Sequence, residues 1–325
     1  MDKIRWGIIG CGNVTEVKSG PAFQKIKDSE LVAVMRRNSD KAKDYAARHG
    51  VPKWYDDADK LINDPDVNAV YIATPPDTHA EYAIRVAQAG KPVYVEKPMA
   101  RNYAECEKMI QACRDASVPL FVAYYRRCLP CFRKLKELID SEAIGDVRFV
   151  FIELFHSPLA DDFKKDNLPW RVIPEISGGG YFVDLASHEL DLLDYILGPI
   201  DFAQGRIANQ ANLYPAEDIV CADFTFKSGV LGSGLWCFTT RKEDRLDRIR
   251  IVGSKGKITY SMFDSTLVTF ETNGGIEKFD LPHPKHFQQP LIQTIIDELQ
   301  GKGTCPSTGI TAARTNYVMD QILKK

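Results

Sequence analysis

No apolar run in the 325 residues approaches the roughly 20 positions that a helix needs to cross a bilayer, so a membrane-spanning chain is not expected. The N-terminus, MDKIRWGIIGCG, lacks the apolar core and small-residue cleavage site of a secretory signal, and a cytoplasmic protein is expected. Positive charge is not in excess. Lys and Arg number 42 against 44 Asp and Glu, which argues against the strongly basic face with which nucleic-acid binders displace counterions. Eight cysteines are present, but only Cys128 and Cys131 form a CxxC, and no second pair at a matching spacing completes a metal site. That pair sits on a basic helix start, RRCLPCFRKLKEL; no metal is expected, and most thiols should be buried as small hydrophobes. Internal repeats and low-complexity segments are also missing. What is left is an ordinary globular composition, 44% hydrophobic and 26% charged, long enough for two cores and suited to small-molecule chemistry.

Residues 3–123 alternate short apolar runs with helical patterns, the signature of βαβ units and a parallel sheet. Strands are expected at Ile4–Ile9, Leu31–Met35, near Trp54, and at Ala69–Ala73, Val93–Glu96 and Leu120–Ala123. A helix over Asp77–Ala89 stops at Gly90, and one over Asn102–Ser117 begins at an Asn cap and stops before Pro119. Beyond about residue 146 the strands lengthen and are joined by hairpin turns such as Lys227-Ser228-Gly229 and Asn273-Gly274-Gly275. The expected class is therefore α/β: a doubly wound Rossmann sheet over 1–123, then an α+β domain over 124–325 with one large mixed or antiparallel sheet. Helices are expected near Gly180–Leu197, Gln289–Gln300 and Thr308–Lys324, the last able to pack back on the first domain.

The segment WGIIGCGNVT follows the first strand and opens a helix. It places Gly10 and Gly12 where the backbone turns tightly towards a pyrophosphate, with Asn13 and Val14 at the helix start and Thr15 in the third fingerprint position. At the end of the second strand, where an acid normally accepts hydrogen bonds from the adenosine ribose, stands Arg36, followed by Arg37. A guanidinium cannot accept those bonds but suits a 2′-phosphate, so NADP is expected rather than NAD.

Three further segments complete the pattern: YIATPPDTHAEYA, VYVEKPMA and GGGYFVDLASHELDLLDYILG. With GIIGCGNV they resemble the glucose-fructose oxidoreductase, inositol dehydrogenase and MocA (Gfo/Idh/MocA) family over nearly the whole chain. The resemblance implies a Rossmann domain followed by an open-faced mixed sheet, with hydride transfer at the domain junction. It implies that Lys97, of Glu96-Lys97-Pro98, lies beside the nicotinamide and the reacting carbinol, that His188 is the acid/base group, and that Asp184 assists it. Thr74, Pro75, His79 and Glu96 fall where family members line the dinucleotide, although the common Asn after the first proline is here Pro76. Relatives commonly pair through the second domain's sheet, so a homodimer or homotetramer is expected.

The residues support these roles chemically. Lys97 follows a strand's carboxyl end, where ligands bind in open α/β sheets, and its cation suits an oxygen on which negative charge grows. Asp184 and His188 are one helical turn apart on a shared face, which Asp191 continues; a carboxylate beside an imidazole fixes its tautomer and raises its basicity. Gly178-Gly179-Gly180 permits close backbone approach at the helix start, suiting either an approach to the cofactor or a plain loop. Trp170 and Arg171, with Tyr124, Tyr125 and Arg126 after the last Rossmann strand, are candidates to stack on and hydrogen-bond a hydroxylated ring, with hinge or packing roles as the alternative. The expected reaction is reversible NADP(H)-linked hydride transfer at a secondary alcohol or ketone of a sugar or cyclic polyol. Competing readings are a dihydrodiol or other non-sugar carbonyl substrate and, in another class, a non-catalytic dinucleotide-binding regulator.

Overall fold

The computed structural model describes residues 1–325, which separate into two compact units: residues 1–125 with 284–313, and residues 126–283 with 314–325.

The first unit is built on six parallel strands: β1 (Ile4–Ile9), β2 (Ser29–Met35), β3 (Lys53–Tyr55), β4 (Ala69–Ile72), β5 (Val93–Val95) and β6 (Leu120–Val122). Their order, β3-β2-β1-β4-β5-β6, is that of a doubly wound dinucleotide fold, with its topological switch between β1 and β4. Almost every residue of β1, β4, β5 and β6 is buried, as expected of parallel strands covered on both faces. The expected helices appear at His79–Gln88, behind a short 3-10 turn, and at Tyr103–Asp115, where the Asn102 side chain accepts from Glu105 N at 2.9 Å.

Residues 284–313 belong to the first unit, whereas the expected division gave 124–325 to the second domain and allowed only the last helix, over 308–324, to pack back on the first. The Gln289–Leu299 helix buries Leu291, Ile292, Ile295 and Ile296 in the first unit, a contribution of several kcal/mol at about 1.5–3 per side chain. The chain then lies along β6: Val122 N donates to Ser307 O (3.1 Å), Ser307 Oγ donates to Val122 O (2.7 Å), and Thr308 bridges Phe121. An edge with unpaired amides is thereby blunted. The Gly309–Leu323 helix begins in this unit, with Ala312 and Ala313 in its core, and its later turns belong to the second unit.

The second unit carries an eight-stranded mixed sheet of β7 (Val147–Phe155), β8 (Ile200–Ala208), β9 (Ile219–Phe226), β10 (Leu231–Cys237), β11 (Leu246–Gly253), β12 (Gly256–Tyr260), β13 (Leu267–Thr272) and β14 (Gly275–Asp280). The order is β14-β13-β12-β11-β7-β10-β9-β8, and only β7 and β10 pair in parallel. Alternation sets the faces. Val150, Ile152 and Leu154 of β7 are buried, while Phe149 on the opposite face lies in register with Leu231 and, through Thr225, with Phe202. These three side chains are 46%, 59% and 52% exposed, an apolar row on the open face of the sheet. No helix of the chain is long and apolar enough to cross a membrane.

Candidate active site

In the first unit the candidate groups gather on the loops after β1, β2, β4 and β5. Gly10 has φ +90, and a Cβ there would lie 2.9 Å from Thr74 N and 2.7 Å from Thr74 Cγ2, so the chain ends of β1 and β4 approach closely only with glycine. Gly12 is different. Its backbone is extended, and a Cβ would meet nothing nearer than Gly10 O at 3.8 Å, which leaves open space above the turn. The third fingerprint position, Thr15, is fully buried; its hydroxyl accepts from Gly12 N (3.0 Å) and donates to Gly12 O (2.8 Å), locking the turn from within. Asn13 is exposed and Val14 half-buried at the start of a helix only five residues long, Asn13–Val17.

At the end of β2, Arg36 is half-buried and Arg37 exposed, and Arg36 Nη1 reaches Cys11 O at 3.4 Å. Asn38 is committed to capping the next helix, accepting from Lys41 N at 2.9 Å.

After β4, Thr78 Oγ1 donates to Thr74 Oγ1 (2.8 Å), and Pro75 is half-buried. His79, expected to line the dinucleotide, is instead fully buried beneath these loops: Nε2 lies 2.7 Å from Thr74 O and Nδ1 3.1 Å from Pro98 O. Burial pushes its pKa down against the pull of those carbonyls. The ring thus ties the β4 loop to the β5 loop, and both of its nitrogens face backbone.

Glu96 also turns inward. Its Oε1 accepts from the Tyr71 hydroxyl and from Gln288 Nε2 (2.6 Å), and its Oε2 from Lys97 N (3.1 Å). Tyr94, stacked 4.7 Å from Tyr71, donates to Gln288 Oε1 at 2.7 Å. A buried carboxylate needs such partners, and here they fix the backbone from which half-buried Lys97 projects. The Lys97–Pro98 peptide is cis. Tyr124, expected to face substrate, is fully buried in the core of this unit, and Tyr125 packs edge-on to Phe287 with 5% of its surface exposed.

In the second unit the candidates lie on and around the Tyr181–Leu197 helix. The preceding glycines bring its start against residues 216–217: a Cβ on Gly180 would lie 2.8 Å from Glu217 O, and Gly180 N donates to Glu217 Oε1 at 2.8 Å. Their close approach is therefore to this unit's own chain. Asp184 accepts from Arg171 Nε at 3.0 Å, and the Arg171 guanidinium stacks 4.4 Å over Trp170, so these three form one group. His188 is 4% exposed, with Phe263 edge-on at 6.1 Å.

Arg126 is drawn to the same place but is buried: Nη1 donates to Met262 O (2.6 Å) and the guanidinium lies 4.7 Å over Phe263. Asp191 points elsewhere on the helix and forms a buried two-pronged pair with Arg127, at 2.9 and 2.5 Å. Burial lifts the Asp191 pKa to about 6 despite that cation.

Glu189 escaped the sequence reading. It is fully buried, Oε2 accepts from Trp236 Nε1 at 2.5 Å, and Oε1 has no protein partner. Burial raises its pKa to about 8, with Asp247 adding to the shift and Trp236 and Arg126 opposing it, so it is largely a neutral acid at pH 7. Its only sequence signal was an acidic residue next to His188, one of four carboxylates on this helix.

The comparisons with known proteins fit this geometry. Residues 4–124 match the family described as "Oxidoreductase family, NAD-binding Rossmann fold", and residues 132–259 match the "GFO/IDH/MocA C-terminal domain". Oxidoreductase P35 of Formosa agariphila is 43% identical over 98% of both chains. Myo-inositol 2-dehydrogenase of Thermotoga maritima is 31% identical over 84% of this chain and 79% of its own. Among solved structures, the WlbA dehydrogenase of Bordetella pertussis, in complex with NADH and UDP-GlcNAcA, superposes with a TM-score of 0.83 at 26% identity, over 99% of this chain and 96% of that one.

Proposed function

The chain belongs to the Gfo/Idh/MocA family of NAD(P)-binding oxidoreductases, and from that premise we propose that it catalyses reversible NADP(H)-linked hydride transfer at a secondary alcohol or ketone of a sugar or cyclic polyol. The observation that carries the reading is the strand-end cradle of the first unit: Gly10 pressed on Thr74, open space above Gly12, and Lys97 held at the carboxyl end of β5 by the Glu96 network. These residues fit a dinucleotide, whose diphosphate would lie over Gly12, Asn13 and Val14. The chemistry it supplies when bound is hydride exchange at a carbon. Arg36, with Arg37 beside it and no acid at the end of β2, favours a 2′-phosphate over a free ribose hydroxyl.

The chain's own residues handle charge and proton. Lys97 offers a cation to the oxygen on which negative charge develops, and His188 gives that oxygen its proton in the reductive direction and removes it in the oxidative one. Asp184, held by Arg171, presents a fixed carboxylate one helical turn before His188. The apolar row Phe149, Leu231 and Phe202 supports a second copy covering the sheet's open face. Light scattering of wild type against Leu231→Glu tests it, and a wild type that is monomeric at micromolar concentration sinks it.

The reaction is tested by following reduced cofactor while the purified protein meets keto-sugars, polyols and a trans-dihydrodiol, with NADP(H) and NAD(H) in parallel. Turnover of a sugar or polyol with NADP(H) is expected. Turnover of the dihydrodiol alone overturns the substrate class, and preference for NAD(H) overturns the cofactor.

A further inference from the structure

The second unit carries an open cleft of about 450 Å³, within the roughly 300–1,000 Å³ usual for small-molecule pockets. Phe263, Asp264, Ser265, Thr266, Leu267, Asp280 and His283 line it. Phe263 connects it to the candidate site, since the same ring stands 6.1 Å from the His188 imidazole and under the Arg126 guanidinium.

The loop carrying Phe263 is rigidly built. The Asp247 carboxylate accepts from Met262 N (3.0 Å), Phe263 N (2.6 Å), Asp264 N (3.0 Å) and the Ser261 hydroxyl (2.5 Å). Ser261 Oγ in turn accepts from Asp264 N (2.9 Å) and Ser265 N (3.2 Å). Ordering entropy is therefore met in folding and not at binding, the mark of a pre-formed site.

The lining chemistry defines the occupant. An aromatic ring receives the C–H face of a sugar, and hydroxyls and carboxylates receive its hydroxyl groups. Thr266 Oγ1 donates to Asp280 Oδ1 at 2.6 Å, which orients a carboxylate that still has acceptor capacity. No lysine or arginine lines the cavity, and the nearby Arg245 is already bidentate to Asp264 at 2.9 and 2.6 Å. Burial and Arg126 push His283 towards its neutral form. Asp264 is neutralised by Arg245, and the Asp280 carboxylate, which makes no ion pair, is the lining charge that disfavours a phosphate or uronate.

We propose that this cavity is a second sugar subsite that holds the neutral ring next to the one oxidised or reduced, so that the substrate is a free neutral glycoside or oligosaccharide and not a nucleotide-linked sugar. This rests on the carbohydrate reading of the reaction. The test uses the full chain with NADP(H) and compares D-glucose, cellobiose and UDP-glucose, then the matching galactose series with lactose and UDP-galactose.

In at least one series, kcat/KM is expected to be about tenfold higher for the disaccharide than for the monosaccharide, and lowest for the nucleotide sugar. Asp280→Asn and Thr266→Val should remove most of that advantage and leave monosaccharide turnover near wild type. Equal kcat/KM for one and two rings, preference for the UDP-sugar, or an advantage that survives both substitutions overturns the proposal. Titration of both disaccharides by ligand-observed NMR separates this from failure of the reaction itself. Disaccharide binding that is lost in Asp280→Asn supports the subsite even if no sugar turns over, and absence of binding to wild type overturns it.

Discussion

The two units present their chemistry in opposite ways. In the first, candidate groups stand on loops at strand ends, and buried side chains hold those loops from beneath: Thr15 under the glycine turn, His79 between two loops, Glu96 behind Lys97. In the second, they stand on one largely buried helix, whose aspartates each meet an arginine: Asp184 with Arg171, Asp191 with Arg127, Asp194 with Arg314. Glu189 on the same helix meets no cation and keeps one oxygen without a protein partner. A strand-end loop is prescribed by local backbone requirements, whereas a helix carboxylate takes its state from whatever distant residue faces it.

The contrast breaks if the proposed reacting groups of the two units do not both matter. Lys97→Ala and His188→Ala are each expected to lower kcat by at least about 100-fold while NADPH binding, read by fluorescence titration, stays within a few-fold of wild type. Near-normal turnover in both variants would falsify the assignment of charge and proton handling to these residues. Next in size is the cofactor. Arg36→Ala should weaken NADPH binding about 10- to 100-fold, the loss of a charge-assisted bond of roughly 1.5–3 kcal/mol, and leave NADH binding unchanged; equal effects on both would assign Arg36 no part in a 2′-phosphate site.

The glycine turn sharpens the comparison, because its two glycines should separate. Gly12→Val, whose new side chain enters open space, is expected to unfold at the wild-type urea midpoint and to bind NADPH at least about tenfold more weakly. Gly10→Ala meets Thr74 from a left-handed backbone and should lose about 1–3 kcal/mol of stability. The reverse pattern would mean that Gly12 is the structural member.

Legibility in the sequence follows the same division. Buried parallel strands read as unbroken apolar runs and the hairpin strands as alternations, so the strands of both sheets were visible from local pattern, and so was the turn at Gly10 and Gly12. Partners distant in the chain were not. Gln288 reaches Glu96 across 192 residues, and nothing local to Glu96-Lys97-Pro98 announces it. The same holds for the placement of 284–313 in the first unit, where Ser307 pairs with Val122, and for Tyr124, whose position after β6 looked like a pocket wall and proved to be core. Asp247 reads as an ordinary strand residue until four hydrogen bonds from residues 261–264 are seen to converge on it.

Glu189 is expected to have an effect that is small at pH 5 and grows as the pH rises. Its folded pKa of about 8 stands above an ordinary 4.5, so between those values the folded chain holds a proton that the unfolded chain releases. Raising the pH through that window therefore costs stability, and acidification restores it. Glutamine resembles the neutral acid in shape, can still accept from Trp236, and cannot titrate. At pH 5, Glu189→Gln should lie within about 1 kcal/mol of wild type in urea unfolding, the cost of an imperfectly satisfied amide. As the pH approaches 9 the wild type should lose ground and the variant overtake it. A constant difference between the two across this range would mean that Glu189 is ionised throughout, with a cation or ordered water supplying Oε1, and the helix would then lose the exception that sets it apart from the first unit's fully partnered Glu96.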